Sequence, residues 1–319
     1  MDQQVHSATD ICRQALTAME MQRIDAAIRR QRCERAGLLR LIGAVSEAPA
    51  THEPIARLRD AAGPEDPENA RPFERFLLLT AAMDTLARIR LVPVSDDVKA
   101  LMCDEFRFYA SHPREHASRF EIGSASFTAM CKTATLRRFP AGQFDWEVGG
   151  IRRSDIAHVS PARIVQTIAF AGLRMRGLKP VFFSHLNWRR GNRSLLETEA
   201  NRSYYRMAQS MRLQPEIRGF AACSWFRSPG VHRVSPNLAW LSRVFLDNGG
   251  FVVEAGPDSA EGGVLHRSKT RRALYDAGKF KPTKGLVMWP RDAVIAWADA
   301  HPEFAPASLR RGYGGPPEL

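Results

Sequence analysis

Apolar residues recur at helical spacing through the first third of the chain. Ile11, Ala15, Leu16, Met19, Ile24, Ala27 and Ile28, followed by Leu38, Leu39 and Ile42, predict helix over 9–47, with Thr9 or Asp10 placed to cap it. Pro49, Pro54, Gly63, Pro64, Pro67 and Pro72 then punctuate a polar linker that has room for a short helix at 54–62. Phe73, Phe76, Leu77, Leu79, Met83, Leu86 and Ile89 predict a second helix over 72–90, and a third spans 96–109.

The pattern changes after about residue 120. Segments 134–139 and 144–148 read as strands joined through Pro140-Ala141-Gly142 in a hairpin. Helical stretches at 161–175, 194–213, 236–248, 268–277 and 292–301 alternate with strands at 181–185, 217–226, 251–255 and 285–289. Gly249-Gly250 and Gly278 supply helix stop signals. Alternation of this kind predicts an α/β (α+β) layer architecture. The expected organisation is a mostly helical region, 1–118, an α/β domain, 119–304, and a flexible tail, 305–319, rich in Gly, Pro and Arg.

Composition narrows the class. The 319 residues are 44% hydrophobic and 25% charged, which excludes disordered, collagen-like and disulfide-scaffold chains. Cys12, Cys33, Cys103, Cys131 and Cys223 form no C-x-x-C pair, as expected of a reducing compartment. The first ten residues lack a basic stretch followed by an apolar one, and no apolar run approaches a membrane span. A cytoplasmic protein is the expectation.

Charge is the first pointer to function. Residues 151–319 hold 26 basic and 13 acidic side chains, whereas 1–150 are nearly neutral. Such a basic half suits an anionic partner: a phosphorylated cofactor, an acidic carrier protein or nucleic acid.

Within that half, strand 217–226 runs into Arg227-Ser228-Pro229-Gly230-Val231-His232-Arg233-Val234-Ser235 and then a helix. Free N–H groups and the positive helix end favour phosphates at such a junction. Arg227, Arg233 and Ser235 would add contacts, and Gly230 would allow close backbone approach. Farther on come Ser268, Arg271, Arg272, Leu274, Tyr275, Gly278 and Phe280.

The order of these parts over about 215–290 resembles the GNAT-type N-acyltransferases, which use acyl-CoA. In that family a strand leads through a loop, R/Q-x-x-G-x-G/A, that holds the CoA pyrophosphate at a helix N-terminus. A second strand splays from the first, and the thioester arm lies between them. Arg227 and Gly230 match the loop, with His232 in place of its last small residue. Leu274, Tyr275, Gly278 and Phe280 match a later helix, with the glycine one place early. The resemblance implies a mixed sheet flanked by helices and an acyl-CoA or acyl carrier protein donor. It further implies Tyr275 as proton donor to the departing thiolate, with Arg271 and Arg272 as additional phosphate contacts. Glu216 and Glu254, beside the strands expected to splay, are candidates to accept the amine proton.

Other constellations are weaker. His185 ends a predicted strand, where site residues of α/β sheets collect, and is a candidate base. His112-Pro113-Arg114-Glu115-His116 matches H-x-x-E-H, but Pro113 interrupts the helix a zinc site requires, and no metal is expected. Aromatics adjoin arginines at Trp188-Arg189-Arg190, Tyr204-Tyr205-Arg206 and Trp225-Phe226-Arg227, as in single-strand nucleic-acid binders. The reading from sequence is an acyltransferase moving an acyl group from a CoA or carrier-protein thioester to an amine. The alternative is a non-catalytic nucleic-acid-binding or regulatory protein.

Overall fold

The computed structural model describes residues 2–14, 35–47, 52–62, 67–111, 122–187, 195–259 and 263–306. The chain divides into two compact units, Met1–Pro140 and Ala141–Leu319.

The first unit is built of helices α1 (Asp2–Gln14), α2 (Arg35–Glu47), α3 (His52–Ala62), α4 (Pro67–Arg88), α5 (Asp96–Ser111) and α6 (Ala125–Ala134), and ends in the short strand β1 (Arg138–Pro140). Helix α1 starts seven residues before the expected cap. Thr9 instead lies inside the helix and donates its hydroxyl to the Val5 carbonyl at 2.9 Å. Helix α6 packs on α2 and α4, burying Phe127 and Cys131. The first compact unit runs through α6 and β1 to Pro140, past the boundary expected at 118. Residues 15–34, within the expected long helix, and 307–319, the expected tail, lie outside the described residues.

The second unit is an α/β (α+β) layer structure. In chain order it contains β2 (Phe144–Gly149), α7 (Arg153–Ala157), α8 (Pro161–Ala169), β3 (Val181–Leu186), α9 (Glu197–Arg212) and β4 (Gly219–Ser224). Next come α10 (Pro229–Val234), α11 (Trp240–Leu246), β5 (Phe251–Pro257), α12 (Gly263–His266), α13 (Lys269–Asp276), β6 (Thr283–Pro290) and α14 (Arg291–Ala300). Within this unit the sheet order is β2-β3-β4-β6-β5. Strands β3 and β4 are parallel, while β2/β3, β4/β6 and β5/β6 are antiparallel. One expectation fails here: β4 and β5 are not neighbours, because β6 returns between them. No thioester slot can open between 217–226 and 251–255.

Period-2 alternation sends β3 and β4 side chains to two cores. One face packs Val181, Phe183, Ala221, Leu286 and Met288 under α7 and α8, through Ile156, Val159, Ala171 and Met175. The other face is aromatic: Trp146 stacks on Phe182 at 3.8 Å, and Phe220, Phe245 and Trp289 meet ring to ring. Helix α9 closes that face. Ala200, Ser203, Tyr204, Met207, Ala208 and Met211 form its buried stripe, and Glu197 and Glu199 sit in its first turn, where acids complement the helix dipole. Strand β4 ends at Ser224, two residues before the expected end. Ser228 then caps α10, with Pro229 at its first position.

Trp289 is fully buried between both tryptophan and phenylalanine neighbours, and its Nε1 donates to the Asn248 carbonyl at 2.8 Å. Trp289→Ala is expected to cost about 3–5 kcal/mol in a denaturant titration. Leu173→Ser, at a residue 81% exposed, should change stability by less than about 0.5 kcal/mol. Equal costs would contradict this placement of the core.

Candidate functional site

The parallel pair β3/β4 is joined by only two register pairs, Phe182↔Phe220 and Phe183↔Ala221. Beyond them, Ser184–Leu186 and Ala222–Ser224 leave the shared ladder. Each segment stays paired on its outer edge: Trp146↔Ser184, Asp145↔His185 and Phe144↔Leu186 on one side, Ala222↔Val287, Cys223↔Leu286 and Ser224↔Gly285 on the other. The two strands are thus held from outside while they part from each other. A wedge opens at their carboxyl ends, with inner-edge N–H and C=O groups facing into it. An extended ligand can pair with such an edge through its own amides.

The wedge has two chemically different faces. On the α7/α8 side, His185 stands beside acidic residues of β2. Its Nε2 lies 3.2 Å from Glu147 Oε1, and both side chains are largely enclosed. Asp145, directly opposite His185, is buried and accepts from Asn187 Nδ2 at 2.6 Å. Asn187 is itself held by its N–H on the Gln143 carbonyl at 2.9 Å. With Nε2–H given to the Glu147 carboxylate, Nδ1 becomes the basic nitrogen of the ring. Cys223 points to this same side. Burial and the nearby Asp155 carboxylate push its thiol up to about 12, so it is not a ready thiolate.

On the opposite face lie Ser184, Leu186, Ala222 and Ser224, and above them Arg227. Its guanidinium is 1% exposed and boxed by the rings of Phe144, Phe226, Phe220 and Phe245 at 4.9, 5.2, 5.6 and 5.8 Å. Its Nη2 donates to the Tyr204 hydroxyl at 3.3 Å. Burial pushes the Tyr204 hydroxyl up, and the guanidinium partly opposes that shift.

The residues of the phosphate loop expected after β4 are placed as follows. Arg227 turns inward under the rings and does not face the loop. Helix α10 has six residues, and its Gly230 N–H is already bonded to Ser228 Oγ at 3.1 Å. A Cβ on Gly230 would lie 3.1 Å from Glu254 Oε2, so a carboxylate occupies the space where an anion was expected. Glu254 and Arg233, expected as base and phosphate contact, meet each other, with Nη2 3.7 Å from Oε2. Arg271 is buried: Nη1 donates to Ser235 Oγ at 2.9 Å, Nε to the Val264 carbonyl at 2.6 Å, and the group stacks on Trp225. Burial lowers its pKa from the ordinary arginine value. Arg271 and Ser235 therefore brace α13 against the loop. Arg272, next to it on α13, is half-buried.

Tyr275 packs half-buried on the Val231, Val264, Leu265 and Phe280 cluster, and the β4/β5 gap it was to face does not exist. Glu216 is exposed in the turn before β4, at the end of that strand away from the wedge. Of the expected residues, only His185 lies at the parallel pair's open end with a polar network around it. Sequence reasoning missed Glu147 and Asp145. Their i, i+2 spacing in β2 puts both on one strand face, but only the β2/β3 register brings them to His185. His112–His116 lie outside the described residues. Among the described residues no His/Cys/Asp/Glu group is arranged to hold a metal, and no helix is long and apolar enough to cross a membrane.

No protein-family model and no curated protein sequence matches this chain. Among solved structures it is similar to an acyltransferase mutant in complex with octanoyl-CoA, with 14% identity over 89% of this chain and 88% of that one and a TM-score of 0.48. It is also similar to an acyltransferase in complex with decanoyl-CoA, with 14% identity over 84% and 99% of the two chains and a TM-score of 0.46. A third, an acyltransferase in complex with decanoyl-CoA and teicoplanin, has 14% identity over 74% and 77% and a TM-score of 0.44.

The Cys223 environment is directly testable. With its thiol pushed up to about 12 by burial, Cys223 carries little thiolate at pH 8. Iodoacetamide should therefore modify Cys223 of the folded protein far more slowly than an ordinary cysteine, with the rate still rising above pH 10. Peptide mass mapping reads the site, and rapid labelling at pH 8 would identify Cys223 as a reactive nucleophile instead.

Proposed function

We propose that the second unit transfers an acyl group from a thioester to an amine, with the donor's arm seated between the open ends of β3 and β4. The observation carrying this reading is the wedge: a parallel pair with two register pairs and a His–Glu couple at its mouth. The arm of CoA, or of an acyl carrier protein, is an extended chain with amides, which suits exposed strand edges. Surface cations of the basic half would steer either anionic donor toward the unit.

In the proposed reaction the amine nitrogen attacks the thioester carbonyl carbon. Inner-edge N–H groups of the wedge stabilise the oxyanion that forms. His185 Nδ1 takes the amine proton while Glu147, holding Nε2–H, balances the imidazolium. The C–N bond is made, the C–S bond breaks, and the departing thiolate recovers the proton from His185. The products are an amide and a thiol, and no tyrosine is required.

His185→Gln should bind the donor about as well as the native protein, by calorimetry with CoA, and turn over about 10²–10⁴-fold more slowly. Glu147→Gln should retain part of the activity, because Glu147 orients the imidazole and balances its charge without touching the reacting atoms. An unaltered His185→Gln enzyme, or no thiol release from any acyl thioester with amine acceptors, would overturn the reading.

A further inference from the structure

The face of the wedge opposite His185 holds polar groups that nothing in the fold uses. Ser184 is 3% exposed, and its buried Oγ has no hydrogen-bond partner. Ser224 Oγ and Arg227 Nε are likewise buried without one. Arg227 also makes no ion pair among the described residues, although a buried guanidinium without a counter-charge is costly.

Position says what these groups could serve. Strand β3 lies between β2 and β4. The guanidinium springs from the end of β4 yet sits over Phe220 of β4 and Phe144 of β2 together. It therefore reaches, on this face, from the Phe182↔Phe220 rung to Phe144, which pairs with Leu186 at the open end of β3. Ser184 and Ser224 share the face by alternation, one on each diverging strand. Two hydroxyls and a guanidinium edge form a donor set for a carboxylate, which arginine binds through planar N–H groups.

We propose that Ser184, Ser224 and Arg227 form the polar end of the acyl pocket and select donors whose acyl chain ends in a carboxylate. The proposal rests on the acyl-transfer reading above and narrows its substrate class to dicarboxylic acyl thioesters. The carboxylate belongs to the acyl chain and not to the acceptor, because the amine must approach on the His185 face to surrender its proton there. Arg227, expected from the sequence to hold a CoA phosphate, would instead meet the other end of the donor.

The test compares thioesters of equal carbon count: succinyl-CoA with butyryl-CoA, and glutaryl-CoA with valeryl-CoA. The carboxylated member of at least one pair should show a kcat/KM at least about tenfold higher, since a site built to bond a polar group rejects its apolar analogue strongly. Arg227→Met should abolish or reverse that preference, leave CoA affinity within about twofold, and keep or raise the unfolding midpoint, as replacement of buried charge by apolar bulk often does. If the variant fails to fold, the native comparison decides alone. Alkanoyl thioesters that react as well as their carboxylated partners would overturn the inference and leave acyl transfer standing. A preference that survives Arg227→Met, or that follows a carboxylate on the acceptor amine, would overturn it as well. If CoA and every thioester fail to bind, the acyl-transfer reading falls, and this inference with it.

Discussion

Parallel strands cannot be joined by a tight turn, and that requirement organises the second unit. The chain leaves β3 at Leu186 and must cross back to the opposite end of the sheet, where β3 began, to start β4. It does so through α9, a helix of 16 residues whose buried stripe closes the aromatic face. Tyr204, the centre of that stripe, meets Phe144, Phe220, Phe245, Trp289 and Trp297 ring to ring. The crossover thus fixes where β3 and β4 start, while their outer neighbours β2 and β6 fix where they end. Two pairings at the base and none beyond are the geometric result, and the wedge exists because the outer ladders continue where the shared one stops.

Arginine burial follows from the same crowding of rings. Arg227 and Arg271 sit inside, each against aromatic faces, and each spends its donors on uncharged oxygen atoms. A delocalised, weakly hydrated guanidinium tolerates such sites where a lysine ammonium would not. Part of the positive excess in the second half is therefore internal, and a count of basic residues overstates what the surface presents. Arg271 has found two acceptors and so acts as a brace. Arg227 has one bond, to Tyr204, and retains an unused Nε at the end of the wedge. That difference separates a structural arginine from one with capacity left for a ligand.

Much of the element order was legible because the patterns are local. The stop at Gly249-Gly250, the strand at Val181 and the alternating face of Phe144 and Trp146 all follow from neighbours within a few residues. Pairing was not legible. Nothing near Gly285 announces that β6 inserts beside β4, and assuming that consecutive strands adjoin placed a slot between 217–226 and 251–255, where β6 lies. Tyr275 and Glu254 were attractive only under that assumption. Glu147 was overlooked for the same reason, since its contact with His185 spans 38 residues and arises from register alone. Arg227 was named as a phosphate contact, but its direction was not legible, because rings from four separate elements decide it.

The register that brings Glu147 to His185 also divides the wedge by chemistry. Adjacent residues of a strand point to opposite faces, so Ser184 and His185 cannot share one, and neither can Cys223 and Ser224. A slip of one residue in β3 would bury the imidazole among Trp146 and Tyr204 and carry the Ser184 hydroxyl to the acidic side. The slip is opposed from both flanks. The Trp146–Phe182 stack locks β3 to β2, and Gly285 locks β4 to β6, because a side chain there would collide with the Arg227 carbonyl. Acid–base groups on one side and unsatisfied donors on the other are thus kept apart by strand alternation, while both adjoin the same gap. Under the proposed reading, a thioester in that gap would present its carbonyl carbon to the imidazole and its acyl chain to the guanidinium.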